Sequence, residues 1–152
     1  MEKKILKSFF IVGLAVRTSN ENGQAATDIP ALWDRFNTEN ISAQITGKLS
    51  EEVYSVYTEY EGDYTKPYTT IIGCRVENLD HISEEMDGIQ IDGGEFVKFI
   101  AKGNLHEGVV YNAWVDIWNS DLPRAYTADF EIYGEKAMNL EDAEVEIFLS
   151  VR

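Results

Sequence analysis

Apolar and polar residues alternate along several stretches of the chain, a pattern typical of strands that bury one face. Residues 5–17, ILKSFFIVGLAVR, are rich in β-branched and aromatic residues and are predicted to form a long strand. Residues 53–60 predict a second strand and residues 68–76 its hairpin partner, with Glu61-Gly62-Asp63 at the turn. The first half of the chain is therefore predicted to contain three strands.

A helix is predicted between the first two of these strands, after a polar loop at residues 18–27. We expect it over about residues 29–39, with Asp28 or the preceding threonine as its N-cap and Pro30 in its first turn, where a missing N–H costs little. Four apolar residues at helical spacing share one face: Ile29, Leu32, Trp33 and Phe36.

The same order of elements recurs in the second half. A strand is predicted at residues 95–102, a helix capped by Asn104, and strands at residues 126–133 and 145–151. The helix sequence AWVDIW corresponds to ALWDRF in the first half. Between the halves, residues 78–87 are polar and acidic and show no periodicity, so they predict a connector.

The repeat predicts an α+β fold made of a duplicated β-α-β-β unit. A single unit would leave its apolar face uncovered, whereas two units related by a pseudo-two-fold axis cover each other. We expect a curved, largely antiparallel sheet packed with two helices, and a cleft at the seam between the halves. The domain prediction is a single domain over residues 1–152, with repeat 1 at about 3–77, a connector at 78–92 and repeat 2 at about 93–152.

The strand at residues 126–133 carries the candidate chemistry. Alternation places Thr127, Asp129, Glu131 and Tyr133 on one face, opposite Tyr126, Ala128, Phe130 and Ile132. A carboxylate beside aromatic rings attracts an organic cation through both charge and π-faces. We therefore predict Glu131 as the centre of a small-molecule pocket; the alternative is a solvated acid paired with a lysine, a contact worth about 0–1 kcal/mol. Matching Gly62 to Gly134 predicts Glu59 as its counterpart in the first repeat.

Charge and motifs narrow the classes of function. With 13 Lys+Arg and 27 Asp+Glu, the net charge is −14, which repels phosphate backbones and attracts cations, so no direct nucleic-acid binding is expected. The acid excess also has a simpler explanation in solubility. No H-x-x-x-H, C-x-x-C or phosphate-binding glycine loop is found, so neither a metal nor a cofactor is expected. Cys74 has no partner for an internal disulfide.

The beginning of the chain superficially resembles a signal peptide, because Lys3 and Lys4 precede the apolar run at residues 9–16. Lys7 interrupts the apolar character and no small-x-small cleavage site follows. We therefore expect a cytoplasmic protein. No stretch reaches the ~20 apolar residues of a membrane span, so no membrane partner is expected.

Taken together, the two helix sequences, the hairpin VYTEY…GDYT…YTTIIGCRV, the strand GGEFVKFIAKG and the pair AYTADFEIY…AEVEIFLSV resemble the gyrase-inhibitor-like, AraC-type effector-binding family. The resemblance covers about residues 3–151. It implies the duplicated fold described above and a pocket for lipophilic, often cationic, molecules with a glutamate at its floor, which matches Glu131 in DFEIY. Such domains are commonly fused to a DNA-binding region. These 152 residues contain none, so we expect a stand-alone member with a regulatory protein partner still to be identified.

The pocket walls of this family are aromatic, and further ligand-binding residues follow from the resemblance, although each could instead be core: Trp33, Tyr57, Tyr68, Trp114 and Trp118. Together with Glu59 and Glu131, they predict a protein that binds lipophilic, cationic organic compounds. The alternative is a hydrolase of strained or electrophilic small molecules, in which Glu131 acts as base or nucleophile and Tyr133 donates a proton. A third hypothesis is a protein-interaction domain that uses an exposed sheet edge.

Overall fold

In a computed structural model, which describes residues 2–152, the chain forms one antiparallel sheet with helices on one of its faces. The strands are β1 (Glu2–Leu6), β2 (Phe9–Thr18), β3 (Val53–Thr58), β4 (Tyr68–Val76), β5 (Asp87–Ile91), β6 (Gly94–Gly103), β7 (Arg124–Tyr133) and β8 (Ala143–Val151). The α-helices are α1 (Gln24–Thr38), α2 (Ile41–Gln44) and α3 (Val109–Trp118). Within residues 2–152, no helix combines the length and apolar character that a membrane crossing needs.

The strand order β1-β6-β8-β7-β3-β4-β2-β5 is symmetric about the central β7–β3 pair. Each half of the chain supplies two strands, a long helix and two more strands. The halves exchange their first strands, because β1 pairs with β6 and β5 pairs with β2. The predicted α+β fold of two related halves is confirmed, and the central pair is where the halves meet.

Two predicted boundaries differ from the structure around this exchange. The long strand predicted at residues 5–17 is divided into β1 and β2, and β5 lies inside the predicted connector at residues 78–92. Both breaks occur at one close approach, where the Gly93 N–H donates to Ser8 Oγ at 2.9 Å. A Cβ atom on Gly93 would lie 2.5 Å from the Leu6 carbonyl oxygen. The two backbone segments can therefore approach this closely only because residue 93 is a glycine.

The first helix begins earlier than its sequence pattern predicts. It starts at Gln24 and follows Gly23, whose φ of +69° lies in the left-handed region that favours glycine. The predicted N-cap is wrong: the Asp28 carboxylate lies inside the helix and accepts hydrogen bonds from Thr18 Oγ1 at 2.9 Å and Gln24 Nε2 at 3.2 Å. Pro30 is consequently in the helix interior, where it cannot donate to the carbonyl four residues before it.

The two faces of the sheet bury different cores. One face forms a core of strand residues alone, among them Phe96 and Phe130. On the other face, α1 packs on β2 and β4 through residues such as Phe36, while α3 packs on β6 and β8 through residues such as Ile117. The helices thus lie over the outer strands, and β3 and β7 become the floor of a groove between α1 and α3.

Two facing glycines, which have no side chains, allow β2 and β4 to approach each other unusually closely. Gly13 lies opposite Gly73, and a Cβ atom on Gly73 would be 2.1 Å from the Val12 carbonyl oxygen. We expect Gly73→Ala to lower the free energy of unfolding by about 1–3 kcal/mol, because the backbones must separate to admit the methyl group. Urea unfolding measures this change. Gly62→Ala is the control, since its methyl would meet mainly the flexible Lys66 side chain; equal stability of the two variants would contradict the close approach.

Candidate functional site

A cavity of about 440 Å³ lies in the groove between α1 and α3. Its aromatic lining comes from both helices, from β3, β4 and β7 and from the loop between β3 and β4: Trp33, Tyr57, Tyr60, Tyr64, Tyr68, Tyr111, Trp114, Trp118 and Tyr133. Glu131 also lines it. Of the eight residues that the sequence predicts for the site, the structure brings seven together here, and Glu59 is absent from the lining.

Glu131 lies at the floor of the cavity and is only 2% exposed. Its Oε2 atom accepts hydrogen bonds from Trp114 Nε1 at 2.6 Å and from the Tyr57 hydroxyl at 3.0 Å. Its Oε1 atom accepts a hydrogen bond from the Tyr133 hydroxyl at 2.8 Å. Within residues 2–152, no lysine, arginine or histidine forms an ion pair with this carboxylate. A buried negative charge is therefore held by aromatic donors alone.

Burial controls the titration of this cluster. It raises the pKa of Glu131 above the ordinary value, although the hydrogen bonds from Tyr133, Trp114 and Tyr57 oppose the rise by favouring the carboxylate. Burial and the Glu131 charge together raise the pKa values of Tyr57 and Tyr133 well above the usual range. The same two causes raise the pKa of Tyr68 to about 12. The tyrosines thus stay protonated as hydrogen-bond donors.

The predicted role of Glu59 is wrong, and the sheet register gives the reason. Glu59 is exposed, follows the end of β3 with a φ of +51°, and uses its backbone carbonyl to accept a hydrogen bond from Arg17. The prediction matched Gly62 to Gly134, but Gly134 directly follows its strand whereas Gly62 lies four residues beyond β3. Matching the two glycines therefore placed the counterpart of Glu131 too far along the chain, beyond the end of β3.

Ser55 is the structural counterpart of Glu131 in the first repeat. The strands β4 and β8 have nine residues each, and their fifth residues are Ile72 and Ile147. Ser55 pairs with Ile72, and Glu131 pairs with Ile147. Ser55 and Glu131 also lie directly opposite each other. The pseudo-two-fold axis therefore passes near this pair, so the acid sits where the two repeats meet.

The same symmetry explains the two tyrosines beside the acid. Tyr57 and Tyr133 each lie two residues beyond the axis position in their strands, and each donates to a different oxygen of Glu131. Each ring also packs edge-on against a tryptophan of the neighbouring helix: Tyr57 against Trp114 at 5.5 Å, and Tyr133 against Trp33 at 4.9 Å. Two symmetry-related tyrosine–tryptophan pairs thus surround the Glu131 carboxylate, whose own counterpart, Ser55, is uncharged.

Sequence periodicity missed the part of the wall that comes from loops. Tyr64, in the loop between β3 and β4, stacks on Trp118 with ring centroids 5.6 Å apart. Asn20, in the loop before α1, donates to the Tyr64 carbonyl at 2.9 Å and accepts from the Tyr68 hydroxyl at 2.6 Å. Loop residues carry no strand or helix period, so only the folded chain shows that they cover the groove.

Arg124 also lines the cavity, and its charge is paired with Asp129 in a buried ion pair. Arg124 Nη2 donates to Asp129 Oδ2 at 2.7 Å, and the Tyr60 hydroxyl donates to the same oxygen at 2.6 Å. The Arg124 guanidinium lies over the Tyr126 ring at 4.3 Å. Tyr126 has a φ of +55°, and the β7–β8 register is irregular between residues 124 and 129. The predicted alternation fails at this irregularity, because Tyr126 packs against Tyr60 of the cavity wall and is absent from the core around Phe130.

Comparison with known proteins gives one family for the whole chain. Residues 4–151 match the family described as "Cass2: Integron-associated effector binding protein". The YobU protein of Bacillus subtilis (strain 168) is 28% identical over 151 residues, which cover 97% of this chain and 93% of that protein. The predicted resemblance to effector-binding domains of the gyrase-inhibitor-like type is confirmed.

Solved structures show the same architecture. An integron cassette protein from the mobile metagenome of Vibrio cholerae is 30% identical, with a TM-score of 0.79 over 99% of this chain and 95% of that chain. The structure of SAV2435 bound to tetraphenylphosphonium is 19% identical, with a TM-score of 0.81 over 99% of this chain and 93% of that chain. At 19% identity, the match to SAV2435 shows a shared fold and nothing more.

Proposed function

Because the chain belongs to the integron-associated effector-binding family, we propose that it binds lipophilic organic cations in the groove, with Glu131 as the charge that holds them. Membership in this family supports binding of a small molecule. The observation that carries the cationic preference is the buried Glu131 carboxylate, which accepts hydrogen bonds from aromatic donors and, among the described residues 2–152, forms no ion pair. A buried charge without a counter-ion is costly, so a bound cation is its most favourable partner.

The contacts of Glu131 also restrict the kind of cation. A carboxylate has about four lone-pair positions, and Trp114, Tyr57 and Tyr133 already occupy three of them. A ligand therefore gains mainly from charge attraction and from aromatic surface, which contributes roughly 0.5–2 kcal/mol for each well-placed ring. Cations with delocalised or shielded charge and large apolar groups fit this cavity better than small ammonium ions. Tetraphenylphosphonium, the ligand of the SAV2435 structure, has these properties.

The alternative function, a hydrolase that uses Glu131 and Tyr133, has weaker support. The Tyr133 hydroxyl donates a hydrogen bond to Glu131 Oε1 at 2.8 Å, and burial and the Glu131 charge raise the pKa of Tyr133 well above the usual range. A phenol with a raised pKa is a poorer general acid near neutral pH. We therefore favour binding. The cytoplasmic location, the absence of direct nucleic-acid binding and the regulatory protein partner stay predictions.

The test is the affinity of Glu131→Gln for tetraphenylphosphonium, measured by titration calorimetry. We expect a loss of tenfold or more, about 1.4 kcal/mol, because the amide keeps the shape of the side chain but removes its charge. The neutral analogue triphenylphosphine oxide should bind both proteins equally. Glu59→Gln is the matched control, since it removes the same charge from an exposed position outside the cavity, and its affinity should not change. Unchanged binding of tetraphenylphosphonium to Glu131→Gln would refute the proposal.

A further inference from the structure

A second, larger hollow of about 1130 Å³ lies at the other end of the same groove. The first cavity is lined by the N-terminal part of α1 and by α3 as far as Trp118. The second is lined by the C-terminal part of α1, at Asn37, and by the chain at the start of α3, at Gly108. The two hollows therefore occupy opposite ends of one groove.

Four residues line both hollows and form the partition between them: Trp33, Val110, Tyr111 and Tyr133. Tyr133 has a separate role on each side. Its hydroxyl donates a hydrogen bond to Glu131 in the first cavity. Tyr133 also lines the second hollow, and its ring centroid lies 4.9 Å from that of Trp33. One layer of side chains thus separates the buried acid from the second hollow.

The second hollow combines carboxylates with uncovered apolar side chains. Glu51, Glu52 and Glu135 line it, and within residues 2–152 neither Glu52 nor Glu135 forms an ion pair. Glu51 is paired with Lys48 at 3.2 Å. Among the apolar lining residues, Met138 is 79% exposed and Tyr111 is 63% exposed. Exposed apolar surface beside carboxylates that form no ion pair is complementary to a lipophilic cation.

We propose that the second hollow binds the second positive group of elongated dicationic amphipathic molecules, whose first positive group lies at Glu131. This inference rests on the proposed function and adds a ligand class to it: two aromatic cations joined by an apolar chain that passes the Trp33–Tyr133 pair. Binding at the first cavity places the second cation at high local concentration beside Glu52 and Glu135. The gain in affinity then exceeds what either hollow gives alone.

The test compares a dication with a monocation of matched chain. The probes are decane-linked bis(triphenylphosphonium) and decyl-triphenylphosphonium, titrated by calorimetry against the unmodified protein. We expect the dication to bind at least tenfold more tightly. In the double variant Glu52→Gln/Glu135→Gln most of this advantage should disappear, while the affinity for the monocation stays within about twofold.

A second double variant controls for net charge. Glu84→Gln/Glu107→Gln removes two exposed carboxylates that line neither hollow, so the dication should keep its full advantage there. Equal affinities for dication and monocation, or an advantage that survives Glu52→Gln/Glu135→Gln, would overturn the inference while leaving the proposed function intact. Loss of the monocation's dependence on Glu131 would instead refute the proposed function itself.

Discussion

Asp129→Ala is expected to lower the free energy of unfolding by about 3–5 kcal/mol, among the largest effects of any single substitution in this chain. Arg124 and Asp129 are both almost completely buried, so removing the carboxylate leaves a buried guanidinium without its counter-ion. Asp129 also accepts hydrogen bonds from the Tyr60 hydroxyl at 2.6 Å and from the Ser150 N–H at 2.9 Å. Both donors would lose their acceptor in the same variant. Urea unfolding measures the loss.

Two further variants separate this explanation from a general effect of mutation. Asp121→Ala removes an exposed carboxylate from the loop before β7 and should change stability by no more than about 0.5 kcal/mol. The double variant Arg124→Met/Asp129→Leu should recover part of the loss, because it removes the unpaired charge together with the pair. A loss below about 1 kcal/mol in Asp129→Ala, or no recovery in the double variant, would contradict a structural role for the ion pair.

The affinity for a permanent cation should fall as the pH drops through the raised pKa of Glu131, by up to about tenfold for each pH unit, until it reaches the weak affinity of Glu131→Gln. Burial raises this pKa above the ordinary value of 4.5. A bound cation favours the ionised carboxylate, so binding to the protonated form must first release a proton. Affinity is therefore full above the raised pKa and is lost as the pH falls through it. The decline should begin at a pH above 4.5, where an exposed glutamate would still be mostly ionised.

Tetraphenylphosphonium suits this measurement, because its own charge does not change with pH. Calorimetric titrations from mildly alkaline conditions down to about pH 4 give the profile. Glu131→Gln has no group to titrate at this position, so its weak binding should be nearly independent of pH. A decline that begins no higher than the pKa of an ordinary glutamate would show that burial does not control the site. A profile shared by Glu131→Gln and the unmodified protein would assign the pH dependence to other groups.

The candidate site was partly within reach of sequence reasoning. Alternation along residues 126–133 correctly separated Glu131 and Tyr133 from Phe130, because a strand places successive side chains on opposite faces. Alternation failed at Tyr126, where a left-handed residue shifts the register. A local backbone irregularity of this kind leaves no periodic signal.

The error over Glu59 has a different cause. Comparison of the repeats matched two glycines, Gly62 and Gly134, that stand at different distances from their strands. Only the hydrogen-bonded ladder identifies Ser55 as the counterpart of Glu131, because pairing between strands depends on contacts that are distant in sequence. The exchange of β1 and β5 between the halves escaped prediction for the same reason.

By itself, the sequence determined the class of elements, their duplicated order and the presence of an acid within an aromatic strand face, because these properties depend on periodicity and residue type along the chain. Tertiary structure alone decided that Tyr57, Trp114 and Tyr133 converge on Glu131, that Tyr64 closes the wall and that Arg124 is neutralised by Asp129. Those contacts join residues from different strands, helices and loops. Their distances follow from how the two repeats pack, and no local pattern encodes that packing.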